Sequence, residues 1–88
     1  MKVAYTPKFI RMFKKLPNYL QEEVIAKIEL FKNPKNHETL DVHKLHGKLK
    51  RQYGFAVDFH NRVTFEYISE DEVALLTVGD HEIYKQKH

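Results

Sequence analysis

The sequence predicts a small α+β domain in which an N-terminal αα-hairpin packs on one face of an antiparallel β-sheet, in the order β-α-α-β-β-β. Three observations predict it. Two stripes of apolar residues recur at helical spacing before residue 32, and only a very short link containing Pro17 separates them. The second half carries three segments whose apolar residues alternate or run continuously, as strands require. A chain of 88 residues is the size of one domain, here 1–88, and must build its core economically.

Taken in order, Lys2 to Thr6 alternate, with Val3 and Tyr5 on one side. Thr6 followed by Pro7 suits a helix cap and first helical position. Phe9, Met12, Phe13 and Leu16 form the first stripe and leave Arg11, Lys14 and Lys15 outward; Pro17 ends that helix. Asn18 and Gln21 resemble a capping box, and Leu20, Val24, Ile28 and Phe31 form the second stripe, stopped by Asn33-Pro34. A polar connection from Lys35 to Val42 follows.

Tyr53, Phe55, Val57 and Phe59 alternate with Gly54, Ala56, Asp58 and His60, which predicts a strand to a tight turn near His60-Asn61. Val63, Phe65 and Tyr67 continue the alternation and place Arg62 on the opposite, polar face. By this reading Phe55, Phe59, Phe65 and Tyr67 are core. Val73 to Val78 are apolar on both sides, as in a strand covered above and below or placed centrally, and Gly79 is expected to end it.

The absence of cysteine excludes disulfides and thiolate metal sites. No signal-peptide pattern or bilayer-length apolar run occurs, so a soluble, cytoplasmic protein is expected. Net charge is +3, but through Arg51 there are 12 basic and 5 acidic residues, against 3 and 7 after it. The positive field belongs to one part of the molecule, which suits an anionic partner.

That field centres on His43 to Arg51, HKLHGKLKR, where two histidines and four cationic side chains surround one glycine without an acidic neighbour. Only Leu45 and Leu49 are available to fasten it down. Lys48, Lys50 and Arg51 beside Gly47 favour phosphate contact over an ordinary solvated strand end. No third ligand at fixed spacing accompanies His43 and His46, so a metal pair is the weaker reading. His37, His60 and His88 are read as incidental.

The element order, together with HKLHGKLK, DFHNRVTF and LLTVGDHEIY, resembles the RelE/ParE toxin superfamily of type II toxin–antitoxin systems over nearly the whole chain. The HxLxG element at His43 to Gly47 and the GDHEIY ending are most similar to the YafQ and RelE/StbE-like branch, whose members are ribosome-dependent mRNA endonucleases. The resemblance implies a cognate antitoxin, forming a hetero-oligomer, and ribosome and mRNA as targets, with no membrane and no cofactor. By resemblance His43 and His81 are the cleavage histidines, with Asp80 and Tyr84 beside the second. Arg62 contacts the RNA backbone, and Lys44, His46, Lys48, Lys50 and Arg51 hold RNA. Ala56 departs from the pattern, since many relatives carry a basic residue there, and shifts the burden to histidines. A ParE-like gyrase poison and an inactive homologue are the alternatives.

The chemistry of these residue types agrees. RNA cleavage by its own 2′-hydroxyl needs a base, an acid for the leaving 5′-oxygen, and a fixed cation for the phosphorane. Histidine, with an ordinary pKa of about 6.5, serves the first two, and the forked, permanently charged guanidinium of Arg62 serves the third.

Overall fold

The computed structural model describes residues 1–49, 51–80, 82 and 83. Strand β1 (Lys2–Tyr5) leads into helices α1 (Pro7–Lys14) and α2 (Asn18–Phe31), followed by strands β2 (His43–Lys44), β3 (Tyr53–Ala56), β4 (Asn61–Ser69) and β5 (Glu72–Asp80). The five strands form one sheet in the order β1-β5-β4-β3-β2. Its last four strands are antiparallel neighbours, whereas β1 lies parallel to β5, with Val3 opposite Val73 and Tyr5 opposite Leu75. The class is the α+β architecture expected, with a mixed rather than purely antiparallel sheet. Among the described residues no helix is long and apolar enough to cross a membrane.

Thr6 fixes the passage from sheet to helix. Its Oγ1 accepts the Phe9 N–H at 3.2 Å, capping α1, and donates to the Leu75 carbonyl at 2.7 Å. One hydroxyl thereby ties the helix start to β5. The capping box expected at Asn18 is absent: Pro17 occupies the cap, without a side-chain hydrogen bond. The Gln21 amide reaches back instead and donates to the carbonyls of Phe13 and Leu16, at 3.1 and 3.0 Å. These carbonyls lie at and just past the end of α1, where the Phe13 carbonyl also accepts the Leu16 N–H at 3.0 Å, so Gln21 clamps the hairpin rather than starting its own helix.

The apolar stripes meet the sheet as expected. Phe9, Leu20, Val24, Ile28, Val57, Phe65 and Leu75 are buried in one cluster, with Phe13 packed at its margin. Phe31 is fully buried and lies on Phe55, with ring centroids 4.5 Å apart, and against Phe65 at 4.8 Å. β5 lies between β1 and β4, which explains its continuous apolar character, and it runs through Gly79 to Asp80 instead of stopping at the glycine.

The alternation from Tyr53 overextends the third strand. β3 ends at Ala56, and Phe59 is 87% exposed. The Asp58 carboxylate is the cause: Oδ1 accepts the N–H groups of His60 and Asn61, at 2.9 and 2.7 Å, and the Asn61 side-chain amide at 3.0 Å. The chain turns before Phe59 can reach the core. Tyr67 also departs from the core assignment. It is 38% exposed, edge-on to Tyr53 at 5.0 Å, and partial burial raises its phenol pKa.

Two stability outcomes follow. Phe65→Ala is expected to cost about 3 to 5 kcal/mol in denaturant unfolding, because its rigid neighbours cannot refill the void. Burial of Asp58 works to raise its pKa, but the hydrogen bonds from His60 and Asn61 outweigh it and hold the carboxyl below its ordinary value. Such a group stabilises the fold above the unfolded-state pKa of about 3.9 and loses that contribution as pH falls through the lower, folded-state value. Asp58→Ala should therefore melt below the wild type at pH 7, with the gap closing in acid below about pH 4.

Candidate nucleic-acid interface

The sheet has one face against the helices and a second that carries the charged residues. Cross-strand register defines its rows. His43 on β2 lies opposite Gly54 on β3, which lies opposite Thr64 on β4, itself opposite Thr77 on β5. In the next row Arg62 stands between Ala56 and Gly79. His43 and Arg62 therefore share a face, separated by two strand spacings and a two-residue offset, or roughly 12 Å between backbones. That interval suits long side chains converging on one phosphodiester, and nothing larger than Ala56 stands beside Arg62 in its row.

The second face is not bare. Thr64 and Thr77 are buried, at 1% and 4% exposure, and their hydroxyls hydrogen-bond to each other. Near the end of β5, a Cβ on Gly79 would come within 3.0 Å of the Ile83 side chain, and Ile83 is itself buried. A side chain at Gly79 would crowd Ile83 and require it to give by a few tenths of an ångström. Ile83 thus lies against the sheet beside the Arg62 row.

His43 is held by the backbone. Its Nδ1 lies 2.7 Å from the Asp41 carbonyl, which can only accept, so Nδ1 carries the proton and Nε2 is left for external exchange. Asp41 adopts a positive φ of 59°, a conformation that aspartate tolerates better than most residues. The Asp41 carboxylate is a looser neighbour, 3.9 Å from Nδ1. The His43 side chain is 41% exposed, open enough for a substrate and fixed enough to present one nitrogen.

The connection that delivers His43 is anchored to α2. His37 stacks on Phe31 at 4.7 Å, and its Nε2 lies 2.8 Å from the Phe31 carbonyl. Leu40 is buried, and its carbonyl accepts the Ala56 N–H at 2.8 Å. After β2, Leu45 is buried and its N–H donates to Gln52, at 2.9 Å, while Gly47 takes a φ of 69° that closes the loop. Lys44, His46, Lys48 and Arg51 are all exposed around this loop, at the sheet edge next to His43.

Arg62 is partly committed. Its Nη1 donates to the carbonyls of Asp58 and Asn61, at 2.7 and 3.0 Å. The guanidinium makes no further hydrogen bond among the described residues, so its other donors remain available. Asp80 is exposed, and its Oδ1 accepts the Glu82 N–H at 2.9 Å. Lys50, His81 and Tyr84 lie outside the described residues. Sequence reading missed the Asp41 carbonyl that orients His43 and the Asp58 turn that holds Arg62. The second had a signal, since aspartate opens turns by accepting nearby backbone N–H groups.

No family model matches the sequence, and no curated protein matches it. Solved structures do. YafQ from E. coli superposes with a TM-score of 0.76 at 10% identity, covering 93% of this chain and 94% of that one. The fold is that of the RelE/YafQ/ParE-type toxins. A conserved hypothetical protein of Helicobacter pylori matches with a TM-score of 0.72 at 21% identity, over 93% of this chain and 96% of that one. The RelBE2 toxin–antitoxin complex of Mycobacterium tuberculosis matches at 0.67 and 21%, over 91% and 96%. Within this RelE-type fold His43 and Arg62 come from strands separated by β3 alone.

If the exposed cations contact phosphates, replacing Lys48, Lys50 and Arg51 together with alanine should weaken RNA binding. It should also flatten the slope of log affinity against log salt by about 2, at roughly 0.7 per lost single-strand contact. Filter binding of single-stranded RNA across a salt series reads this directly.

Proposed function

We propose that this protein is the toxin of a type II toxin–antitoxin pair and an endoribonuclease that cuts mRNA on the ribosome. The observation that carries the reading is the presentation of His43. Its Nδ1 is pinned to a backbone carbonyl, and its Nε2 is free on the sheet face that also bears Arg62. A tautomer held in this way is what positioned proton transfer needs.

His43 and His81 share the base and acid roles: one takes the 2′-hydroxyl proton and the other protonates the leaving 5′-oxygen. Arg62 stabilises the charge on the phosphorane with the guanidinium donors that the turn leaves unused. Asp80 and Tyr84 border the reacting groups, and Lys44, His46, Lys48, Lys50 and Arg51 hold the RNA or ribosomal RNA at the sheet edge. The structural neighbours include toxin–antitoxin complexes, which supports an antitoxin partner. The turn at Ile83, folded onto Gly79, is a segment that such a partner would cover or displace.

His43→Ala and His81→Ala should each lower cleavage by roughly 10² to 10⁴-fold without lowering the melting temperature. The double variant should lose little more than the worse single one, because an acid–base pair acts as a unit. End-group analysis of mRNA cut on purified ribosomes by EDTA-washed protein tests the scheme, which requires 2′,3′-cyclic phosphate and 5′-hydroxyl ends. A 5′-phosphate product, or loss of cutting on chelation, would overturn it. Inhibition of DNA gyrase without mRNA cleavage would replace it with the ParE-like reading.

A further inference from the structure

Phe59 is the feature that the fold leaves unexplained. It is 87% exposed, more than any other large apolar side chain among the described residues. It sits on a turn that is fastened from three sides. Lys27, paired with Glu23, donates to the Val57 carbonyl at 2.9 Å. The Asp58 carboxylate takes the N–H groups of His60 and Asn61. Arg62 Nη1 donates to the Asp58 and Asn61 carbonyls. The Phe59 ring meets the His60 ring edge-on, with centroids 5.5 Å apart.

An exposed aromatic on a turn held this firmly loses little freedom on binding, so its contacts count toward affinity. Its surroundings select the partner. The other exposed apolar side chains lie elsewhere: Tyr5, Ile10, Tyr19, Ile25 and Leu30 on β1 and the helices, Tyr67 and Ile68 toward the far end of β4. A protein contact centres on a contiguous apolar patch, and no other exposed apolar residue lies on the 57–61 turn that carries Phe59. What it has is a guanidinium anchored at the peptide immediately before it. A π-face beside a cation suits a base and its own phosphate.

We propose that Phe59 is a stacking platform for an unpaired RNA base, with Arg62 on the adjoining phosphate, and that it sets how the strand is seated for cleavage. This rests on the RNA-cleaving reading above. Stacking tolerates every base, so the platform contributes grip and placement more than sequence preference.

The test compares Phe59→Ala, Phe59→Leu and Phe59→Trp with the wild type in two assays. One is mRNA cleavage on purified ribosomes; the other is quenching of 2-aminopurine in a single-stranded RNA oligonucleotide. All four proteins should melt together, because the side chain is solvent-exposed. Alanine and leucine should both lose roughly 5- to 150-fold in RNA affinity, with a matching loss of cleavage and of quenching, while tryptophan retains them. Leucine behaving as wild type while alanine fails would mean an apolar protein contact and overturn the proposal. So would unchanged values in all three variants. Quenching by the wild type alone and Phe59→Trp, without cleavage by any protein, would uphold the stacking site and reject the nuclease reading; absence of both signals would reject both.

Discussion

The stacking of Phe31 on Phe55 is the contact on which the remaining architecture depends. Phe31 is the last residue of α2 and Phe55 lies in β3, so this ring pair joins the hairpin to the sheet. His37 stacks on Phe31 and its Nε2–H donates to the Phe31 carbonyl, which brings the connection into the same cluster. Leu40 then locks to Ala56, and three residues later the chain reaches His43. The position of the exposed imidazole is therefore set by an apolar core on the opposite side of the sheet, through two short backbone links.

The second face carries little side-chain volume in its central rows. The rows contain Gly54, Ala56 and Gly79, and the hydroxyls of Thr64 and Thr77 satisfy each other instead of reaching outward. A buried hydroxyl left without a partner would be costly, so their pairing lets the middle of the face stay polar. Charged groups are confined to its margins: the cationic loop after β2 on one side, and Arg62 braced by the Asp58 turn at one end. Bracing restricts the guanidinium without spending all its donors.

Much of this was legible in the sequence because periodicity reports burial directly. Leu20, Val24, Ile28 and Phe31 were placed by spacing alone, and the continuous apolar run of β5 marked a strand placed centrally in the sheet. Thr6-Pro7 announced the start of α1. The failures share a cause, which is a polar side chain making a non-local or turn-forming hydrogen bond that a pattern does not encode. Gln21 has the spacing of a capping box but serves the end of the preceding helix, and Asp58 halts an alternation that would have buried Phe59. The site divides similarly. Its basic stretch was visible as composition, whereas the carbonyl that selects the His43 tautomer belongs to a backbone turn at Asp41 and has no side-chain signature.

The parallel pairing of β1 with β5 carries a consequence for the order of events during synthesis. The Thr6 hydroxyl bonds to a carbonyl 69 positions further along the chain, and the strand bearing that carbonyl stands between β1 and β4. Until β5 has left the ribosome, the first strand has no neighbour, the hairpin has an incomplete sheet to cover, and Arg62 lacks the strand that carries Gly79. Closing contacts of such long range is slow, since the entropy of the intervening loop must be lost before they form. The face bearing Arg62 is therefore completed only once residues 72–80 are available to pair with both β1 and β4.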